Sequence, residues 1–123
     1  MANRYLRQFL QSQRSSHVFE SGTISLSSAA AVTASDFTSL VASVAKTATG
    51  EYTITLADKW VGLLCVNATL EGGQAGTFAK VKSADPTSAK TVVINTSDAT
   101  GPADVSAAAK LHVSIQLKNS TAR

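Results

Sequence analysis

Apolar and polar residues alternate along several short segments of the chain, most clearly in two of them. The apolar members are Tyr52, Ile54 and Leu56 in the first segment and Leu111, Val113, Ile115 and Leu117 in the second. A period of two places alternate side chains on opposite faces of a β-strand. Both segments are therefore predicted to be strands with one buried face and one face in water.

Residues 50–71 are predicted to be the part of the chain around which the rest packs. After a turn at residues 57–59, residues 60–70 are apolar at most positions and carry no charge. Long apolar runs rich in β-branched, aromatic and small residues are typical of strands covered on both faces. We therefore predict a central strand at residues 60–70, in which Cys65 is a small buried hydrophobic residue.

Four further strands complete a set of seven. They are predicted at residues 18–26, with a bend at Gly22, and at residues 40–46, 77–83 and 91–95. In the third of these, Lys80 and Lys82 lie on the exposed face, where lysine discourages edge-to-edge pairing. Seven short strands joined by polar turns indicate a sandwich or a barrel, and the crossover helices of a parallel α/β fold are missing. The predicted fold class is all-β, an antiparallel β-sandwich of the jelly-roll or Ig-like kind.

The connections are predicted from their glycine, proline and aspartate residues. Turns or loops are expected at residues 36–40, 47–50, 71–76, 84–89 and 96–102, and residues 27–35 are expected to be a loop or an extended edge. Gly50 is available for a positive φ in a hairpin. Asp85 is expected to accept hydrogen bonds from backbone amides just ahead of it.

Residues 1–16 are predicted to form an N-terminal arm, short and helical or extended, and residues 17–123 the β-sandwich domain. The residues of the arm predicted to contact a partner are Arg4, Tyr5, Leu6, Arg7, Phe9, Leu10 and Arg14. On a helix, the four apolar members of this set share one face. A helix this short needs a surface on which to dock. Two interpretations remain open, because the arm can cover an open end of its own domain or lie on a neighbouring subunit.

Charge is sparse and unevenly placed. Charged residues make up 15% of the chain, against about 25% in a typical soluble domain. Three arginines lie in the arm without a neighbouring acid, whereas the rest of the chain has eight basic and eight acidic residues. A neutral surface rich in alanine, serine and threonine tolerates close packing against other proteins. Nucleic-acid binders usually show clustered basic residues with interleaved aromatics, so nucleic acid is not the predicted partner.

Residues suited to catalysis or metal binding occur singly. His17 and His112 are distant in sequence, and serine is not set in a nucleophile motif such as G-x-S-x-G. A lone cysteine with two separated histidines makes a poor metal site. Asp98 and Asp104 flank a loop that could hold a cation, but a solvated loop is the preferred interpretation. We predict no catalytic residue, no metal and no cofactor, and therefore not an enzyme.

Several weaker signals carry structural interpretations. The glycine-rich residues 71–76 lack the lysine and hydroxyl of a phosphate loop. The sequence Asn67-Ala-Thr matches a glycosylation acceptor, but it falls in the predicted central strand, where a glycan would not fit. Trp60 is predicted to anchor the core or its rim. No apolar run is long enough for a membrane-spanning helix, and no secretory signal is recognised, so a membrane is not a predicted partner.

The phrases TGEYTITLADKW and LHVSIQLKNS, together with the cationic arm and the Ser/Thr/Ala-rich body, resemble the small virion proteins of tailed bacteriophages. The resemblance covers residues 47–66 and 109–120. It implies a structural role without catalysis. The expectation is a capsid decoration or cement protein, bound to the major capsid protein or other virion subunits and located on the capsid surface after assembly in the host cytoplasm. A homo-oligomer, such as a trimer, is also expected.

A binding module is the alternative function. In that case a receptor- or carbohydrate-binding domain on a tail or head fibre would use Trp60, Tyr52 or the glycine-rich loop at residues 71–76 as its contact.

Overall fold

The computed structural model describes residues 17–26, 32–105 and 108–118. Nine strands are present in these ranges: β1 (His17–Leu26), β2 (Thr33–Ser35), β3 (Val41–Ala48), β4 (Glu51–Leu56), β5 (Gly62–Gly72), β6 (Phe78–Asp85), β7 (Thr91–Asp98), β8 (Gly101–Pro102) and β9 (Ala109–Lys118). The first sheet has the order β2-β1-β9-β5, and the second has the order β3-β4-β7-β6, with β8 paired to β7. Every pairing is antiparallel. The predicted antiparallel β-sandwich is confirmed.

The two clearest sequence patterns build the core between the sheets. Every second residue of β9 from Ala109 to Leu117 is buried, and so are Tyr52, Ile54 and Leu56 in β4. Neighbouring strands add Ile24, Val92 and Ile94. Burying one large aliphatic side chain contributes about 1.5–3 kcal/mol. The core therefore lies where the period of two predicted it.

The prediction of a central strand at residues 60–70 is wrong. The strand formed there, β5, is the last strand of the first sheet and pairs only with β9. Leu63 and Leu64 are exposed, and Cys65 is partly exposed rather than buried. The interior strands of this sheet are β1 and β9, and β9 pairs with β1 on one side and β5 on the other. An apolar run records composition, whereas the neighbours of a strand depend on pairing with distant segments.

Residues 96–102 are not the polar loop that was predicted. Strand β7 continues to Asp98, and Thr96 is buried. Its hydroxyl donates to the carbonyl of Ala103 at 2.7 Å, and its amide donates to the carbonyl of Gly50 at 2.8 Å. A polar residue can be buried when its hydrogen bonds are made within the protein.

Strand β3 departs from the predicted alternation of Leu40, Ala42 and Val44. The pairing with β4 shifts between Val41 and Ser43, as at a β-bulge, which adds a residue to one strand. Val41 and Val44 consequently pack against the core while Ala42 is exposed. Of the short elements, β2 lies within residues 27–35, where a loop or an edge was expected.

Two predicted turns are confirmed in detail. Gly50 closes the β3–β4 hairpin with φ 62°, and an added Cβ would lie 2.5 Å from the carbonyl oxygen of Thr96. Asp85 accepts hydrogen bonds from the amides of Ser88 at 3.0 Å and Ala89 at 3.2 Å. These bonds and the hydroxyl of Thr87 lower the pKa of Asp85, the amide of Ser88 contributing most.

The segment between β2 and β3 covers the inner face of β1. Glu20 is only 2% exposed, and its carboxylate accepts hydrogen bonds from the amide and hydroxyl of Thr38. Gly22 does not interrupt the pairing of β1 with β9, which runs without a register shift. An added Cβ at Gly22 would lie 2.5 Å from the ring of Phe37. Glycine is used here for the close approach of an aromatic ring.

Candidate functional site

The seven residues of the arm that were predicted to contact a partner all lie outside the described residues. The first described residue is His17, which begins β1. His17 and Gly62 are both Cα partners of Lys118, one on each side of β9. Because neighbouring strands lie about 4.8 Å apart, the two residues are roughly 10 Å apart. The residue that follows the predicted arm therefore lies in the row where β5 begins.

Exposed apolar residues surround the start of β5. We call Val61, Leu63 and Leu64 the β5 edge patch; they are 46%, 37% and 43% exposed. The pairing with β9 shifts between Leu63 and Cys65. Strand β5 pairs with β9 only, so its other edge is not joined to the second sheet by a β-ladder. Exposed apolar side chains at the edge of a sheet mark places where another chain can bind.

Asn67 also differs from its expected position. Its side chain is exposed, and its amide lies 3.4 Å from the sulfur of Cys65. The prediction that Asn67-Ala-Thr lies in a central strand with no room for a glycan is therefore wrong. Asn67 is exposed because β5 lies at the edge of the sheet and not in its middle.

A polar row crosses the outer face of the first sheet. His112 is the Cα partner of Thr23 in β1 and of Thr69 in β5. Its Nδ1 lies 3.1 Å from the hydroxyl of Thr23, and its Nε2 lies 2.6 Å from a carboxylate oxygen of Glu71. The hydrogen bond with His112 lowers the pKa of Glu71, and the charge interaction between the two adds to this.

This row has the hydroxyl, imidazole and carboxylate of a hydrolytic triad but not the surroundings of one. Thr23 pairs with Ser35 on one side and His112 on the other. Its backbone amide therefore faces a paired strand and is not placed to stabilise an oxyanion. The geometry fits a cross-strand hydrogen-bond chain that holds the imidazole in one orientation.

The two aspartates considered for a cation have other partners. Asp98 accepts hydrogen bonds from the hydroxyl and amide of Thr100 at 2.7 and 2.8 Å, and the hydroxyl contributes most to a lowered pKa of Asp98. Asp104 pairs with Lys46 at 2.8 Å. In residues 17–26, 32–105 and 108–118, no three His, Cys, Asp or Glu side chains form a group that could hold a metal ion.

The contacts suggested for a binding module are only partly accessible. Tyr52 is fully buried, and burial, followed by the nearby charge of Asp104, raises the pKa of its hydroxyl. Tyr52 is therefore excluded as a surface contact. Trp60 packs against the core and donates its backbone amide to the carbonyl of Pro86 at 2.8 Å, as expected for an anchor. The glycine-rich loop is confirmed, although β5 extends into it as far as Gly72.

Comparison with known proteins adds no relative. No family model, no curated protein and no solved structure matches the chain. In the part of the chain that the structure describes, there is no helix with the length and apolar character needed to cross a membrane.

The alternation of residues along β1 could have predicted the side chains on the outer face of the first sheet, although composition alone could not. On β1 the residues Phe19, Ser21, Thr23 and Ser25 alternate with those that face the core. Their outward position follows from the period of two. The period of two does not say which strands lie beside β1. The side chains of β9 and β5 that neighbour these residues are known only from the pairing of the sheet.

Proposed function

We propose that the chain is a structural subunit of a virus particle, a decoration or cement protein on the capsid of a tailed bacteriophage. The observation that carries the proposal is the position of the β5 edge patch. An apolar run long enough to fill a core lies at the edge of the sheet, partly exposed, in the row of the residue that follows the predicted arm. Apolar surface of this kind is buried when a partner binds.

In this mechanism the arm and the patch contact one partner surface together. Tyr5, Leu6, Phe9 and Leu10 bury apolar area on a neighbouring virion subunit, while Arg4, Arg7 and Arg14 meet acidic groups on it. The domain adds Val61 and Leu64 beside the arm. Each contact is modest, and repetition across the capsid lattice makes the attachment stable.

The remaining surface of the domain suits such a role. The residues after the arm have balanced charge, so the domain is not strongly repelled by copies of itself at short distances. The partner is the major capsid protein or another virion subunit, and several copies of this chain pack together, with a trimer as one arrangement. The site of action is the capsid surface, reached after assembly in the host cytoplasm.

The first test is to image intact particles for regularly spaced density of the size expected for a 12.7 kDa chain. The second is to add the protein to particles that lack it and to measure how many copies bind. Deletion of residues 1–14 and the double substitution Val61→Ser with Leu64→Ser are each expected to reduce occupancy at subsaturating concentration by about tenfold or more, which corresponds to about 1.4 kcal/mol.

Phe78→Ser is the matched control, because Phe78 is 49% exposed but lies on β6 in the second sheet. Its occupancy is expected to equal that of the unmodified protein. Full occupancy after deletion of the arm would show that the arm does not bind the particle, and full occupancy with the Val61 and Leu64 substitutions would remove the β5 edge patch from the interface.

A further inference from the structure

The outer face of the first sheet contains a groove of about 370 Å³. Its side chains lie in two rows that cross β1, β9 and β5. One row is Ser21, Ser114 and Asn67, and the other is Thr23, His112 and Thr69. Asp36, which directly follows β2, also lines the groove. The groove is therefore built on three adjacent strands.

The lining side chains define the chemistry of a ligand. They supply hydroxyl groups, one carboxamide and one imidazole, which together donate and accept hydrogen bonds. Neither lysine nor arginine is among the lining residues, and the charged group among them is the carboxylate of Asp36. An anionic ligand would be repelled by this carboxylate, and no lysine or arginine lines the groove to attract it. A neutral ligand with many hydroxyl groups matches the lining.

The imidazole of His112 is held in place. Its two ring nitrogens lie within hydrogen-bonding distance of Thr23 and Glu71, at 3.1 and 2.6 Å. Polar groups fixed on strands and oriented by neighbouring hydrogen bonds bind a ligand with less loss of entropy than groups on loops. These cross-strand hydrogen bonds orient the imidazole at one side of the groove.

An exposed aromatic ring lies on the same face of β1. Phe19 precedes Ser21 by two residues, so both side chains project from one face, and the two residues are roughly 7 Å apart along the strand. Phe19 is 58% exposed. The C–H face of a sugar ring packs on an aromatic ring while its hydroxyl groups form hydrogen bonds at the side. The exposed ring of Phe19 can therefore contact the C–H face of a saccharide, and the hydroxyl-lined groove beside it can bind the hydroxyl groups.

We propose that this groove, extended by Phe19, is a binding site for a neutral saccharide. Phe19 packs against one sugar ring, and Ser21, Asn67 and Ser114 bind the hydroxyl groups of the next. A volume of about 370 Å³ is near the lower end of ligand sites, which span about 300–1,000 Å³, so the groove accepts one or two sugar units of a longer glycan. This activity goes beyond the proposed role in the capsid, since it uses the outer face of the first sheet rather than the β5 edge patch.

The test is binding of the full-length protein to an array of neutral and acidic oligosaccharides, followed by calorimetric titration with the neutral oligosaccharide that binds most strongly. Phe19→Ala and Asn67→Ala are each expected to raise the Kd by about tenfold or more. Both side chains are exposed, so the melting temperature should stay close to that of the unmodified protein.

Phe78→Ala is the control, since it removes an exposed phenylalanine from the second sheet. An unchanged Kd for this variant, with a weakened one for Phe19→Ala and Asn67→Ala, supports the site. The proposal is overturned if no oligosaccharide binds, if only acidic ones bind, if both groove variants keep the original Kd, or if Phe78→Ala weakens binding equally. Occupancy on particles is measured separately, so a failure here leaves the proposed capsid role untouched.

Discussion

Lys46 and Asp104, distant in the sequence, form an ion pair of 2.8 Å at one end of the core. Lys46 is the Cα partner of Tyr52 across the β3–β4 hairpin, and its side chain is only 11% exposed. The second carboxylate oxygen of Asp104 accepts a hydrogen bond from the amide of Gly50 at 2.8 Å. One carboxylate therefore neutralises a largely buried lysine and fixes the turn of the hairpin.

Replacing Asp104 should destabilise the protein. Asp104→Asn keeps the shape and the acceptor for Gly50 but leaves Lys46 without its counter-charge. We expect the free energy of unfolding, measured by urea denaturation, to fall by about 2 kcal/mol, because hydrogen bonds to charged groups contribute roughly 1.5–3 kcal/mol.

A double-mutant cycle isolates the ion pair. Adding Lys46→Met to Asp104→Asn removes the unpaired charge and replaces it with an apolar chain, so part of the lost stability should return. If the two substitutions instead add their separate costs, the pairing of Lys46 with Asp104 is not the source of the effect.

The same carboxylate should make stability depend on pH in acid. The hydrogen bond from Lys46, followed by that from Gly50, lowers the pKa of Asp104 below its ordinary value of 3.8. Its stabilising contribution is then complete above the pKa of the unfolded chain and is lost as the pH falls through the lower pKa of the folded state. Urea denaturation between about pH 5 and about pH 2 should show Asp104→Asn losing less stability than the unmodified protein. Equal losses would argue against this linkage.

The space above Gly22 should be intolerant of any side chain. In Gly22→Ala the new Cβ would lie 2.5 Å from the Phe37 ring, and overpacking of this kind costs about 1–3 kcal/mol. Thermal or urea unfolding measures the loss.

Two further variants make the Gly22 experiment specific. Gly62→Ala is the matched control on the same sheet, because the nearest atom to its Cβ would be 3.9 Å away, and little change is expected. Combining Gly22→Ala with Phe37→Leu should cost less than the sum of the single substitutions, since the smaller side chain relieves the clash. A strictly additive result would mean that Phe37 is not what excludes the methyl group.

Cys65 provides a direct probe of the proposed interface. It is the single cysteine of the chain, it is partly exposed, and it follows Leu64 in β5. A maleimide reagent is expected to label it in the isolated protein and to label it much more slowly on particles, because the partner covers the β5 edge patch. Labelling is followed by mass spectrometry.

Ser43→Cys in a Cys65→Ser background is the control for that experiment. Ser43 is exposed on β3, in the second sheet, and should react at the same rate in both states. Unchanged labelling of Cys65 on particles to which the protein is bound would contradict burial of this end of β5.

Local patterns predicted seven of the nine strands in the described residues, and the inner faces of the two with the clearest alternation, β4 and β9. The alternation in β4 and β9 was sufficient because a half-buried strand separates apolar from polar side chains at each step. The turn at Asp85 and the hairpin at Gly50 were also predictable, since each depends on the backbone preferences of a few neighbouring residues.

The tertiary structure alone decided which strands are central, which polar groups are buried and which surfaces remain exposed. Residues 60–70 were expected in the middle of a sheet and lie at its edge, because the apolar run does not specify a second pairing partner. Glu20 can be buried because Thr38 donates hydrogen bonds to its carboxylate. Thr96 can be buried because its amide donates to the carbonyl of Gly50 and its hydroxyl donates to the carbonyl of Ala103. The groove around His112 likewise needs three strands that are far apart in the chain. Burial and pairing are relations between distant segments, whereas a period of two is a property of one segment.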